Sequence, residues 1–206
     1  MNIAYKYRIY PTTEQRVLLA KTFGCCRFVW NHILSDKKEH YKSTGTTLHI
    51  TPAAYKTTYP FLKEVDSLAL ANVQMNLQQA YKNFFKNKKK FKFPKLKSKK
   101  KCKNSYTTNC VNGNIEMEAD GIKLPKLGVV KGCIHRKVPE GYTLKSATVS
   151  MDRDGKYYCS VLFEYEDEIV SKEADLEHTL GLDYKSDGFH FVGRTPCAAR
   201  LCGAFD

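Results

Sequence analysis

An α+β fold is predicted by three observations: an alternating segment at the N-terminus, helical periodicity of apolar residues between 13 and 86, and a series of short apolar segments separated by turn signals from 104 onward. Ile3, Tyr5, Tyr7 and Ile9 alternate with Ala4, Lys6 and Arg8, which is the period of a half-buried strand over 3–9. Pro11 ends that strand, and Thr12 with Gln15 three residues later has the form of a capping box at a helix start. Helical periodicity continues through Val17, Leu18, Phe23, Phe28, Val29, Ile33 and Leu34 to Gly45. Gly24 is expected to separate two helices or to bend one. Pro52, Pro60 and several threonines in 46–64 suggest a short helix between loops. Asp66 or Ser67 then caps a helix over 67–86, with Leu70, Val73, Leu77, Ala80 and Phe84 forming its apolar stripe.

Short strands are predicted around Ile115 and Met117, Ile122 and Leu124, Val129 to Ile134, Leu144 to Val149, and Tyr157 to Phe163. Asp154-Gly155 reads as a hairpin turn between the last two. This spacing suggests a small barrel, completed by strand 3–9 with the helices inserted between. His178 to Asp183 reads as a short buried strand ending in a carboxylate, followed by a turn and a strand beginning at Phe189 and Phe191.

The 206 residues carry a net charge of +13, unevenly distributed. Residues 164–187 hold nine acids and two bases, which leaves 32 bases against 12 acids elsewhere. A field of that sign attracts polyanions. The longest apolar stretches are far shorter than the roughly 20 residues of a membrane span. No signal-peptide core is present, and the reading is a cytoplasmic protein. The eight cysteines include no Cys-x-x-Cys pair, so they read as reduced thiols, several packed in the core, and no zinc site is expected.

Residues 86–103 contain eleven lysines and no acid, with Phe91 and Phe93 among them. A lysine run is usually a solvated face. Interleaved aromatics add what base or sugar packing would need, and nucleic-acid contact is assigned to Lys86, Lys88, Lys89, Lys90, Lys92, Lys95, Lys97, Lys99, Lys100 and Lys101. Motif searches for catalysis find no Walker A loop, no His-Glu-x-x-His and no Gly-x-Ser-x-Gly. Asp183 alone has a catalytic look, because a carboxylate after an apolar strand can hold a divalent ion at a sheet edge. An Asp in that place is more often a turn former.

Several stretches resemble one known family in order and spacing over about residues 1–190. They are Tyr7-Arg8-Ile9-Tyr10-Pro11-Thr12 with Glu14-Gln15, Thr22-Phe23-Gly24-Cys25-Cys26-Arg27-Phe28-Val29-Trp30-Asn31-His32, and Leu62-Lys63-Glu64-Val65-Asp66-Ser67. They continue with Ala80-Tyr81-Lys82-Asn83-Phe84-Phe85, Phe93-Pro94-Lys95-Leu96-Lys97-Ser98-Lys99, Asn104-Ser105-Tyr106-Thr107-Thr108, Lys123-Leu124-Pro125-Lys126-Leu127-Gly128, and Gly181-Leu182-Asp183-Tyr184. The chain thereby resembles the TnpB (OrfB) proteins of bacterial insertion sequences, relatives of the type V CRISPR effectors. The resemblance implies an oligonucleotide-binding-like wedge β-barrel from 1–12 and 91–165, and a helix-turn-helix-like recognition lobe over 13–90. It also implies an acidic linker over 166–177 and the start of a RuvC-like, ribonuclease-H-like domain over 178–206.

Guide RNA and target DNA are the implied partners, with base pairing supplying most of the specificity. Ser105, Tyr106 and Asn112 lie in the stretch where the family approaches the duplex, and Ala71 stands where many relatives have Gln. Asp183 falls at the first catalytic carboxylate, a magnesium ligand in the complete family site. The further Glu, the zinc ribbon and the last Asp of the family do not appear after Asp183; Cys197 and Cys202 do not form a zinc pair, and the sequence is atypical from about 193. The expectation is a truncated or frameshifted member that lacks stable magnesium binding and is inactive alone. The alternatives are a nuclease completed by a second chain or by recoding, and an RNA-guided DNA-binding repressor.

Overall fold

A computed structural model of the protein describes residues 1–166 in full and the backbone of 181–185 and 188–192. The chain divides into two units, Met1–Glu166 and Asp167–Asp206. The first unit opens with β1 (Asn2–Ile9), α1 (Thr13–Thr44) and α2 (Pro52–Thr58), a 3-10 turn over Pro60–Lys63, and α3 (Ser67–Lys86). It continues with β2 (Asn104–Asn109), β3 (Glu116–Met117), β4 (Gly121–Leu124), β5 (Gly128–Cys133), β6 (Thr143–Met151) and β7 (Tyr157–Glu164). The strands form one antiparallel sheet in the order β2-β6-β7-β1-β5-β4-β3.

β1 sits centrally between β7 and β5, so the first strand does join the later ones. Its register places Tyr7 opposite Cys159, which lies opposite Val149, which lies opposite Tyr106. All four residues are buried, and the period-two alternation of each strand builds the inner face. The next row outward, Lys6, Ser160, Thr148 and Thr107, is polar throughout. α1 and α3 cover the inner face near β2, where the Phe23 and Tyr106 rings lie 5.9 Å apart.

The helix starts follow from local hydrogen bonding. Thr12 accepts from the Gln15 amide and the Gln15 side chain accepts from the Thr12 amide, a complete capping box. Asp66 caps α3 by accepting from Leu68 N at 3.0 Å. Each such cap contributes about 1 kcal/mol. Gly24 neither separates nor interrupts helices here, because α1 runs unbroken from Thr13 to Thr44. Its neighbours Phe23, Cys25 and Cys26 are buried, and their packing offsets the roughly 1 kcal/mol cost of an interior glycine. A Cβ at Gly24 would meet nothing within 4 Å, so no close approach requires the glycine.

β2 is a strand that the apolar pattern did not announce, since Asn104-Ser105-Tyr106-Thr107-Thr108-Asn109 contains one large apolar side chain. It pairs with β6 through six residues, from Asn104 opposite Met151 to Asn109 opposite Ser146. The Asp154-Gly155 hairpin is present, with Gly155 at φ +76° and Asp152 N donating to Lys156 O at 2.9 Å.

In the second unit, β8 (Gly181–Lys185) and β9 (Gly188–Val192) form an antiparallel hairpin with Asp183 opposite His190. The strand therefore continues two residues past Asp183 instead of ending there. The acidic linker beyond Glu166, residues 178–180 and the segment from 193 onward lie outside the described residues.

Candidate nucleic-acid interface

The lysine-rich stretch after α3 has no regular secondary structure, yet its middle is fixed to α1. Trp30 Nε1 donates to Lys95 O at 3.0 Å. Asn31 then clamps Lys97, two residues further on: its Nδ2 donates to Lys97 O at 2.9 Å, and its Oδ1 accepts from Lys97 N at 2.8 Å. The Lys97 ammonium lies 3.8 Å from the centre of the Trp30 ring, a cation–π contact. Burial lowers the Lys97 pKa from its ordinary value, because the charged form has lost water on that side. Pro94 is buried, and Phe93 sets its ring edge-on to Tyr81 at 5.4 Å and Phe84 at 5.3 Å. The two aromatics of the run are thus unequal: Phe93 is tied to α3, while Phe91 carries only the Lys90 ammonium at 5.7 Å.

The ends of the run differ from its middle. Lys86 closes α3, and Lys88, Lys89, Lys90 and Lys92 follow, all exposed. The Lys95 side chain is exposed although its carbonyl is held by Trp30. Lys99, Lys100 and Lys101 are exposed on a turn that Ser98 closes by accepting from Cys102 N at 2.9 Å.

Below this loop lies a polar cleft of about 120 Å³ where α1, α3 and β2 meet. Arg27, Lys97 and Lys103 supply its charge, and Asn72, Asn76 and Ser105 supply hydrogen-bonding groups. Among the described residues, no carboxylate lines it. Asn72 fixes α3 to β2 by donating its Nδ2 to Thr107 O at 3.0 Å and also to Leu68 O at 3.1 Å. Behind the cleft, the buried Asp66 carboxylate accepts from Thr108 Oγ1 at 2.5 Å while capping α3. That pair sets the first turn of α3 against β2. Cys26 lines the floor, and burial pushes its thiol up to about 12.

Ser105 and Tyr106 both border the cleft, but Tyr106, expected at the nucleic-acid surface, borders it as a buried side chain. Tyr106 is 5% exposed with its ring against Phe23, and burial raises its hydroxyl pKa. Its place in the inward register of β2 makes it core. Asn112 is exposed at φ +52° in a turn where Asn114 Oδ1 accepts from Val111 N, away from the cleft lining. Arg27, Asn72 and Asn76 were not singled out from sequence as site residues; the available signal was two asparagines four apart, off the apolar stripe of α3.

Asp183 lies in the second unit, in β8. Among the described residues, no three His, Cys, Asp or Glu side chains group to hold a metal ion. Among the same residues, no helix is long and apolar enough to cross a membrane.

Comparison with known proteins adds the family. The OrfB (IS605) family model described as a helix-turn-helix domain matches residues 1–46. In this chain those residues form β1 and one continuous helix, not two helices. A Streptomyces pristinaespiralis protein named "Putative RNA-guided DNA endonuclease" is 34% identical over 173 residues, covering 78% of this chain and 41% of that protein. "Putative RNA-guided DNA endonuclease InsQ" of Escherichia coli (strain K12) is 29% identical over 170 residues, covering 79% of this chain and 40% of that protein. "Virulence protein VsdF" of Salmonella dublin is 39% identical over 110 residues, covering 47% of this chain and 92% of that protein. The chain spans about two fifths of the length of the two endonuclease-named relatives. On these matches, the chain belongs to the TnpB/OrfB-type family.

Proposed function

We propose that this chain binds RNA and DNA as the N-terminal portion of an RNA-guided DNA endonuclease, with a guide RNA and a target DNA as its partners. The observation that carries the reading is the cleft where Arg27, Lys97 and Lys103 meet Asn72, Asn76 and Ser105, with no carboxylate in its lining among the described residues. Cations there neutralise phosphates, while the Asn76 amide and the Ser105 hydroxyl can donate to phosphate or base edges and Asn72 Oδ1 can accept. In this reading the seven-stranded sheet is the wedge barrel, residues 13–90 are the recognition lobe, and β8 begins the RuvC-like domain. Lys99, Lys100 and Lys101, next to the cleft in sequence, extend the phosphate-binding surface.

The test is binding of RNA and DNA across a salt series. Replacing Lys99, Lys100 and Lys101 with Gln removes up to three phosphate contacts. The slope of log K against log salt should fall by about 2 for single strands and by nearly 3 for duplex DNA. An unchanged slope would mean that these lysines are only solvated.

Asp183 is assigned as the first catalytic carboxylate of the family. Hydrolysis by two magnesium ions needs several carboxylates, and one carboxylate supplies too little charge to hold the ions and orient the attacking water. The 206-residue chain by itself is therefore expected not to cut DNA with magnesium or manganese, with or without guide RNA. Guide-dependent cleavage abolished by Asp183→Ala would overturn this, and would mean that the other ligands come from a second polypeptide.

A further inference from the structure

We propose that a second groove, between the C-terminal halves of α1 and α3, receives unpaired nucleotide bases. This rests on the reading of the chain as nucleic-acid binding, and it assigns a different surface from the cleft at β2. The groove is about 790 Å³. Its apolar surface is mostly aromatic: Tyr41, Tyr81, Phe85 and Phe93 line it, and Leu48 is the one aliphatic lining residue. Tyr41 is 62% exposed and Phe85 66% exposed, unusually open for rings on a basic surface. Tyr81 and Phe85 lie nearly parallel, at 16° with centroids 6.4 Å apart, and Phe93 stands edge-on to Tyr81.

The charge around these rings has one sign. Lys37, Lys38, Lys42 and Lys82 line the groove and, among the described residues, no carboxylate does. Lys37 lies 5.8 Å from the Tyr81 ring centre and Lys38 lies 5.2 Å from that of Phe93. Burial lowers the Lys37 pKa, so an incoming anion would favour its charged form.

Ring faces among lysines fit a ligand with flat faces and a polyanionic backbone, which is single-stranded nucleic acid. A protein segment could also use a hydrophobic groove, and the four lysines around this one favour the polyanion. Continuity points the same way. Phe85 is followed directly by Lys86, where the basic loop begins, so a strand whose phosphates follow Lys86 to Lys90 reaches the groove without a break. His49, Thr47 and Gln78 at the groove can meet base edges.

The test compares a short single-stranded oligouridine with a blunt RNA duplex, using the full chain and a Tyr41→Ala/Phe85→Ala variant. Both side chains are largely exposed, so the fold should survive; circular dichroism checks this, and Phe85→Leu serves as a milder second variant. Loss of stacking should weaken oligouridine binding by about ten-fold while duplex binding changes by less than roughly two-fold. The salt slope should not move, because no cation is removed. Equal loss on both probes, or no loss on either, overturns the groove while leaving the general nucleic-acid reading standing. Failure of the unaltered chain to bind either probe overturns both. Binding of an acidic, leucine-rich peptide that the variant loses, with oligouridine unaffected, would make the groove a protein-docking surface and also overturn the proposal.

Discussion

The middle and the ends of the lysine-rich loop have nearly the same composition and different physics. Lys97 lies on Trp30 with its backbone clamped by Asn31, whereas Lys99, Lys100 and Lys101 extend into solvent two to four residues later. One lysine helps hold the loop to the helix, and the others hold charge where a polyanion can reach it. Net charge therefore measures the second job and overlooks the first.

Trp30→Ala should separate the two regions most strongly. Trp30 is 8% exposed and carries both the Lys95 hydrogen bond and the Lys97 contact. Its removal should cost about 3–5 kcal/mol in urea unfolding. It should also expose Cys26, so that thiol labelling of Cys26 in the native protein speeds up while exposed Cys133 labels as before. Slow Cys26 labelling in the variant would mean that the loop is held by something other than this clamp.

Asn31→Ala removes the two bonds to the Lys97 peptide and should cost about 1–3 kcal/mol. Trypsin should then cut the native protein at Lys95 and Lys97 as readily as at Lys99. Equal protection of Lys95 and Lys97 before and after would break the distinction between middle and ends.

A charge swap tests the distinction directly. Lys97→Met should lower stability by about 0.5–1 kcal/mol through the lost cation–π contact. The triple Gln variant at 99–101 should leave stability unchanged and flatten the salt slope. Alkaline unfolding sharpens this, because two buried thiols and the half-buried Lys97 run in opposite directions. The Cys26 and Cys159 thiols stay protonated up to about 12 in the fold, whereas an unfolded thiol ionises near 9.0. The folded state then binds more protons, so stability falls between pH 9 and 12. Lys97 has a lowered folded pKa, so the unfolded chain binds more protons, and stability rises as pH passes from that value toward the ordinary 10.5. Lys97→Met removes the offsetting rise, and its stability should fall more steeply than that of the unaltered chain as pH climbs toward 10.5. Parallel curves would place Lys97 in water.

The smallest effect is expected outside the loop. Gly24→Ala should raise stability by about 0.5–1 kcal/mol in thermal melts, since the added methyl meets nothing and the helix loses an entropic defect. A decrease would show that Gly24 has a role the packing does not display.

What the sequence disclosed tracks how local each determinant is. The Thr12–Gln15 box, the Asp66 cap and the 67–86 helix were legible because their partners lie within a turn of one another. The hairpin at Asp154-Gly155 was legible for the same reason. β2 was not, because it faces inward with Tyr106 and Thr108, and Thr108 is made tolerable inside only by Asp66, 42 residues away. Tyr106 was assigned to nucleic acid because it lies in the stretch where the family approaches the duplex, and the register of β2 turns it into the core. The loop clamp joins Trp30 and Asn31 to residues 65 and 66 positions later, a distance at which no periodicity operates. Gly24 was read as a breaker, although buried neighbours on either side outweigh it.

The central place of β1 has a consequence for the order in which the molecule is made. Asn2 pairs with Glu164 and Ile9 with Tyr157, so the first strand to leave the ribosome waits for nearly the last strand of its sheet. At about 5–20 residues per second, that wait is on the order of ten to thirty seconds. During it α1 and α3 can form from local signals alone, but the strand bearing Tyr5, Tyr7 and Ile9 has one side without its β7 partner. A nascent chain stalled before Tyr157 should be captured by a chaperone through residues 2–9, and one released past Glu164 should not.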